Sequence, residues 1–382
     1  MSLPCALLMP DYSLRTPKRL MPSLPDIIKI HILLLGGVVP AQADDWPQFL
    51  GPNGNNISEE TGLIDSFPKT GPKQIFSRRI GTGYSAPSIR DGKIVVFHRA
   101  NKLFKVEEGD TFESVVKYLN NELTALKAKD RLTVESLKLS LQNNTQRAPR
   151  GYIPLPQSVA NHLDVEVIDC LDAKTGKLIW RHAYPTSYED PYGYNNGPRC
   201  APLLTKNCVY TYGAEGILLC LDFATGKQIW RRDTYKDFTV IPNFFGVGST
   251  PILEGDLLLT MVGGQPNSGM VAFNARTGKT VWQSIGEKTW NGTPKLGWRG
   301  EPIMIWRGQE KIASYASPVI ATVHGKRVAF CLMRQGLVAL DPSSGKEYFK
   351  RWFRARENDS VNASNPVVIG DQVFFSSAYY GE

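Results

Sequence analysis

The 382-residue sequence predicts an all-β fold, a β-propeller of four-stranded antiparallel blades, on three observations. An eleven-residue unit recurs along the chain. A matched pair of short apolar runs precedes each copy. Turn-forming residues separate the runs at each step.

The unit reads CLDAKTGKLIW at Cys170–Trp180 and CLDFATGKQIW at Cys220–Trp230, then AFNARTGKTVW at Ala272–Trp282 and, degenerately, ALDPSSGKEYF at Ala339–Phe349. Upstream of each lies a small residue and a proline, an apolar run, a turn and a second apolar run. In the third copy these are TPIL from Thr250, Glu254-Gly255-Asp256, and LLLTMV from Leu257. APLL at Ala201 and SPVI at Ser317 are equivalent; APSI at Ala86 and NPVVIGDQVFFSSAY at Asn365 begin further copies. Short β-branched runs bounded by Asp-Gly and Gly-Lys read as strands and tight turns. A four-stranded sheet with two apolar faces must stack on copies of itself, and repeats near fifty residues stack radially. A solenoid or a pair of sandwiches is the alternative. Within the unit, Asp172 is expected to close its turn by accepting backbone N–H bonds. Gly176 sits where a side chain would clash. Trp180, Trp230 and Trp282 end outer strands and wedge against the neighbouring blade, with Phe349 replacing the indole in the fourth copy.

The chain starts with a predicted signal peptide, residues 1–43, with Met21 as an alternative start. IIKIHILLLGGVV at Ile27–Val39 follows Arg15, Lys18 and Arg19 and precedes an A-x-A pattern at Ala41 and Ala43. The expected compartment is therefore periplasmic or extracellular, with no transmembrane segment in the mature chain; a hydrophobic strand or an uncleaved anchor is the alternative. Residues 44–103 start the propeller within its first blade, 104–163 form an insertion, and 164–382 continue the blades. The last blade is incomplete, which suggests truncation of a parent ring of seven or eight. Phe112, Val116, Leu119, Leu123 and Leu126 form a helical stripe in the insertion, with Asp110 or Thr111 as cap. Leu141–Gly151 reads as an exposed linker. KVEEGDTFESVVKYL resembles the opening of a LysM glycan-binding module and YIPLP at Tyr152 its end. A helical excursion on the rim is the other reading.

The formal charge of +8 is spread thinly, with no dense basic block, which argues against nucleic acid as a partner. Five cysteines follow the leader: Cys170, Cys200, Cys208, Cys220 and Cys331. None has CxxC spacing, so structural zinc and covalent haem are unsupported and buried free thiols are expected. No P-loop, EF-hand or GxSxG pattern occurs. His182 and His324 read as solvated turn residues, and VGGQPNSG at Val262 as a loop.

The repeat resembles the tryptophan-docking unit of the pyrroloquinoline-quinone (PQQ)-type propellers, which include quinoprotein alcohol dehydrogenases and the propeller subunit of the outer-membrane assembly machine. DDWPQFLGPNGNN from Asp44, DPYGYNNGPR at Asp190, NFFGVGSTP at Asn243, LGWRGEP at Leu296 and SYASPV at Ser314 are similar to exported planctomycete-type members. The likeness covers Asp44–Ala100 and Val165 onward. It implies the fold; for activity it says little. The dehydrogenases use calcium, an aspartate base and adjacent cysteines. This sequence has no adjacent cysteine pair, and no calcium set or base maps onto it, Asp190 and Glu215 being merely acidic residues near plausible loops.

Short turns fall at one end of each blade and long, aromatic-rich crossings at the other. Tyr192, Tyr194, Asn195, Arg199, Asn243, Phe244, Trp298 and Arg299 are the candidate ligand-binding residues there, unless they knit the loops together. The expected function is a non-catalytic binding or scaffold module for an envelope protein or glycan, without cofactor. The alternative is a quinoprotein-like oxidoreductase binding PQQ and calcium.

Overall fold

The computed structural model describes residues 44–100, 103–106, 108–122, 131–144, 152–156, 159, 164–287, 290, 311–354 and 361–377. The predicted leader, Trp298 and Arg299 lie outside the described residues.

β1 (Ser88–Arg90) and β2 (Lys93–Ala100) open the first sheet. The chain then leaves it for β3 (Leu103–Lys105), α1 (Phe112–Glu122), α2 (Val134–Asn144) and β4 (Tyr152–Pro154). It returns as β5 (Val165–Asp172) and β6 (Leu178–Pro185), giving the order β1-β2-β5-β6. The second sheet repeats this meander with β7 (Leu203–Leu204), β8 (Cys208–Tyr212), β9 (Ile217–Asp222) and β10 (Gln228–Asp233). A short α3 (Thr234–Asp237) and β11 (Thr239–Val240) lead to β12 (Ile252–Glu254), β13 (Leu257–Gln265), β14 (Ser268–Asn274) and β15 (Thr280–Ser284), with β11 added alongside β13. The fourth sheet is β16 (Val319–Val323), β17 (Lys326–Met333), β18 (Gly336–Leu340) and β19 (Glu347–Trp352). A hairpin of β20 (Val367–Ile369) and β21 (Gln372–Phe374) follows. VGGQPNSG is thus largely strand, spanning the β13–β14 hairpin, and His182 lies half-buried in β6 rather than in a turn.

Strand alternation sends each sheet's side chains to two neighbours. Val209, Leu219 and Leu221 meet Phe97, Ile168 and Cys170 of the first sheet. From the same strands, Tyr210, Leu218 and Cys220 meet Leu258, Val271 and Phe273 of the third. The stack continues from third to fourth sheet and from fourth to the final hairpin.

Indoles lock the outer seams. The Nε1–H groups of Trp180, Trp230 and Trp282 donate to the carbonyls of Phe223, Ala275 and Pro342, at 3.1, 2.9 and 3.1 Å. Each ring lies over the glycine of the next sheet's Thr-Gly-Lys or Ser-Gly-Lys turn. A Cβ on Gly226, Gly278 or Gly345 would come within 2.5–2.7 Å of that ring. The turns are held as expected: Asp172 Oδ1 accepts from the Lys174 and Thr175 amides and the Thr175 hydroxyl. Phe76 occupies the equivalent seat over Gly176. Phe349 stays 47% exposed.

A second belt joins the inner strands. The amides of Ala201, Thr250 and Ser317 donate to the Thr250 and Ser317 hydroxyls and the Asn365 amide oxygen of the following sheets. Near the short-turn end, the Trp46 and Pro47 carbonyls accept from Ile89 and Leu204, clipping together the free edges of β1 and β7.

The insertion has a core of its own, built from Val115, Leu119, Leu132, Leu137, Ile153, Leu155 and Val159, and β3 pairs with β4 at its neck. Thr111 and Ser114 cap α1 reciprocally, as Thr133 and Ser136 cap α2. The expected linker at Leu141–Gly151 is corrected accordingly: helix continues to Asn144, because the Thr133 cap and buried Leu137 anchor it, while 145–151 lie outside the described residues. Leu123 and Leu126 of the expected stripe also lie outside them.

The five cysteines among the described residues are free. Burial raises the Cys170 thiol to about 11 and the Cys331 thiol to about 12, which makes them inert.

On the opposite face of the first sheet Asp169 is buried between Arg181 and His98. Burial pushes its carboxyl up, but the two partners outweigh this and hold it at about 2. This stability is present above the carboxyl's unfolded value near 4 and is lost as pH falls through about 2. Wild type should therefore lose about 2 kcal/mol more than Asp169→Asn between pH 4 and 2 in urea titrations.

Docking has its own test. Gly278 and Gly255 both have positive φ, but only Gly278 faces an indole. Gly278→Ala should cost about 3 kcal/mol and Gly255→Ala about 1 kcal/mol, read from urea midpoints.

Candidate functional site

In each meander the first and third turns fall at one end, and the second turns and the sheet-to-sheet crossings at the other. The insertion replaces a second turn, so it leaves from the crossing end. Two described crossings, 186–202 and 234–251, meet there with the end of a third, 311–318.

The first crossing is organised around Asp190, whose carboxylate has no solvent exposure. Its Oδ1 accepts from the Tyr192 amide at 2.9 Å and its Oδ2 from Arg199 Nη2 at 2.8 Å. Asn196 Oδ1 accepts from the Asp190 amide. Arg199 also donates to the Asn195 and Gly197 carbonyls. Its guanidinium lies 5.6 Å from the Tyr84 ring and 5.7 Å from the Tyr188 ring. Asn195 Oδ1 caps the Gly197 amide at 2.8 Å. Gly197 itself must be glycine, because a Cβ would lie 2.1 Å from the Thr82 carbonyl oxygen. Glu215 ties the crossing's start by accepting from the Thr186 and Ser187 hydroxyls and the Ser187 amide.

Below this crossing Glu166 is buried. It accepts from the Ala214 amide at 2.9 Å and from the Tyr184 hydroxyl. Burial raises its carboxyl. Burial likewise lifts the Tyr188 phenol to about 12.

The second crossing supplies Asn243, Phe244 and Phe245. Asn243 Nδ2 donates to the Ala313 carbonyl at 3.1 Å, and the Phe245 amide donates to the Tyr315 hydroxyl at 2.8 Å. Phe245 is the hub of a ring cluster, 5.4 Å from Tyr192, 5.7 Å from Tyr194 and 5.6 Å from Tyr315. Phe244 joins it 6.3 Å from Tyr192, with Lys311 and Arg334 against its ring at 4.5 and 5.0 Å. Tyr84, Tyr192 and Tyr194 are 59, 56 and 69% exposed.

Of the residues singled out in the sequence, Tyr192, Tyr194 and Phe244 come together in this cluster. Asn195, Arg199 and Asn243 lie beside it with their side chains bonded to the crossing backbones. Phe245, Tyr315, Tyr84 and Tyr188 were not singled out; NFFGVG and SYASP carried the signal for the first two. A cavity beneath, bordered by Tyr235, Asn243, Ser249, Met261 and Ser314, measures about 10 Å³, room for one water. Among the described residues no three His, Cys, Asp or Glu side chains converge on a possible cation site.

Residues 164–381 match the family model described as outer membrane protein assembly factor BamB. The chain belongs to this family. BamB from Moraxella catarrhalis is 16% identical, covering 54% of this chain and 51% of that one, with a TM-score of 0.37. Quinohemoprotein alcohol dehydrogenase from Comamonas testosteroni is also 16% identical, over 56% of this chain and 38% of that one, with a TM-score of 0.39. A europium-containing methanol dehydrogenase is 15% identical over 53 and 51%, with a TM-score of 0.29. The chain thus spans about half, or less, of the length of these solved structures. No curated protein matches it. No helix among the described residues is long and apolar enough to cross a membrane.

The brace and the cluster respond differently to mutation. Arg199→Ala leaves the Asp190 carboxylate buried and unpaired and should cost about 3–5 kcal/mol, with faster proteolysis inside 186–199. Tyr194→Ala, at an exposed ring, should leave both the melting temperature and the cleavage rate near wild type.

Proposed function

We propose that this BamB-family chain is an exported, non-catalytic binding module, its sheets the blades of a propeller, which holds an envelope protein or glycan at its crossing end. The observation that carries this reading is the ring cluster. Exposed tyrosines stand on a base in which Asp190, Asn195, Arg199 and Asn243 are already paired, an arrangement suited to contact rather than to chemistry. The family description, an outer-membrane assembly factor, agrees with an envelope partner. The insertion supports the same reading. Its separate core and paired neck are those of an inserted module, in keeping with the LysM resemblance, and it leaves from the crossing end.

A photo-crosslinking residue at position 194 in the exported protein should capture envelope material, whereas one at the outer-strand residue Ile229 should not. Equal capture from both positions would contradict a crossing-end site. Incubation of the full-length protein with PQQ and calcium should give neither a stoichiometric absorbance change nor dye-linked alcohol oxidation. Either result would establish the oxidoreductase alternative instead.

A further inference from the structure

The ring cluster also indicates what kind of partner it holds. We propose that the crossing end binds a neutral glycan chain, its pyranose rings stacked on Tyr84, Tyr192 and Tyr194. This rests on the binding-module reading and names the ligand class of the same site.

Three observations narrow the choice. First, five backbone amides around the cluster already have acceptors inside the chain. Tyr192 donates to Asp190, Gly197 to Asn195, Phe245 to Tyr315, Gly246 to Asn243 and Val247 to Ala214. An extended peptide adding itself by main-chain pairing needs a row of open donors and acceptors, and these amides do not supply one. Second, Arg199, which lies against the Tyr84 ring, is turned inward. It serves Asp190 and two carbonyls between two aromatic rings. Arg334 is only 3% exposed and lies with Lys311 against Phe244. Neither Arg199 nor Arg334 therefore offers an acidic ligand an outward-facing counter-charge at the tyrosines. Third, what the surface does offer is ring faces with phenolic hydroxyls at their edges. Aromatic faces carry partial negative charge and attract the weakly positive C–H groups on the flat side of a sugar, while hydroxyls exchange hydrogen bonds with its rim. A neutral sugar ring needs no counter-ion and no strand edge.

The test uses the full-length protein with cellohexaose and hexa-N-acetylchitohexaose as neutral probes and an alginate oligomer as the acidic one, read by calorimetry. At least one neutral probe should bind and alginate should not. Tyr192→Ala and Tyr194→Ala should each weaken binding about tenfold, the loss of one ring contact, at unchanged melting temperature. Tyr194→Phe should retain most of the affinity. The proposal is overturned if no neutral probe binds, if alginate alone binds, or if the alanine variants bind as well as wild type. The same variants carrying the crosslinker at position 84 separate this proposal from the broader one. Capture of a protein that disappears in Tyr192→Ala, without glycan binding, removes the glycan and keeps the binding module. Failure of both removes both.

Discussion

An indole over a glycine is the contact on which the rest of this structure depends. The second, third and fourth sheets each carry two apolar faces and cannot shed both alone. Trp180, Trp230 and Trp282 solve this by crossing the seam to the next sheet, where a turn glycine leaves room for the ring and a carbonyl accepts the indole N–H. A tryptophan side chain buries roughly 150–250 Å² in such a seat. The glycine is needed twice over, for its positive φ and for the space its missing Cβ leaves.

This outer lock fixes the inner end of the same sheets. With sheets stacked at a set spacing, the amides of Ala201, Thr250 and Ser317 fall opposite side-chain oxygens of their neighbours. The crossings begin and end at these fixed points, and the Asp190–Arg199 pair folds the first of them into a rigid base. Exposed tyrosines can then be displayed without collapsing onto the core. Rigid display of ring faces lowers the ordering cost of binding, so stacking at the rim has a direct consequence for recognition at the crossing end.

Much of this was legible in the sequence because it is local and repeated. The Asp-x-x-Thr-Gly-Lys turn, its terminal tryptophan and the proline-led strands lie within one sheet and recur, so each copy checks the others. Phe76 was not legible as a docking ring, since it has phenylalanine for tryptophan and no strands of a repeat before it. The second insertion helix, capped at Thr133, was hidden by the polar run after Leu141. Tyr192, Tyr194 and Phe244 were legible as crossing aromatics. The part played by Arg199 was not: it depends on the burial of Asp190 and on Tyr84, more than a hundred residues earlier. Such long-range pairing has no period and leaves no local pattern. The family match and the repeat establish the fold; they do not extend to a ligand, which the loops alone determine.

The most direct test of the docking account is hydrogen exchange at the indole nitrogens, followed by NMR on protein labelled with ¹⁵N-tryptophan. The account predicts that the Nε1–H signals of Trp180, Trp230 and Trp282 persist in D₂O as long as the most protected strand amides. Loss of these signals on the timescale of exposed side chains would contradict it, leaving the sheets without the joint that aligns their crossings.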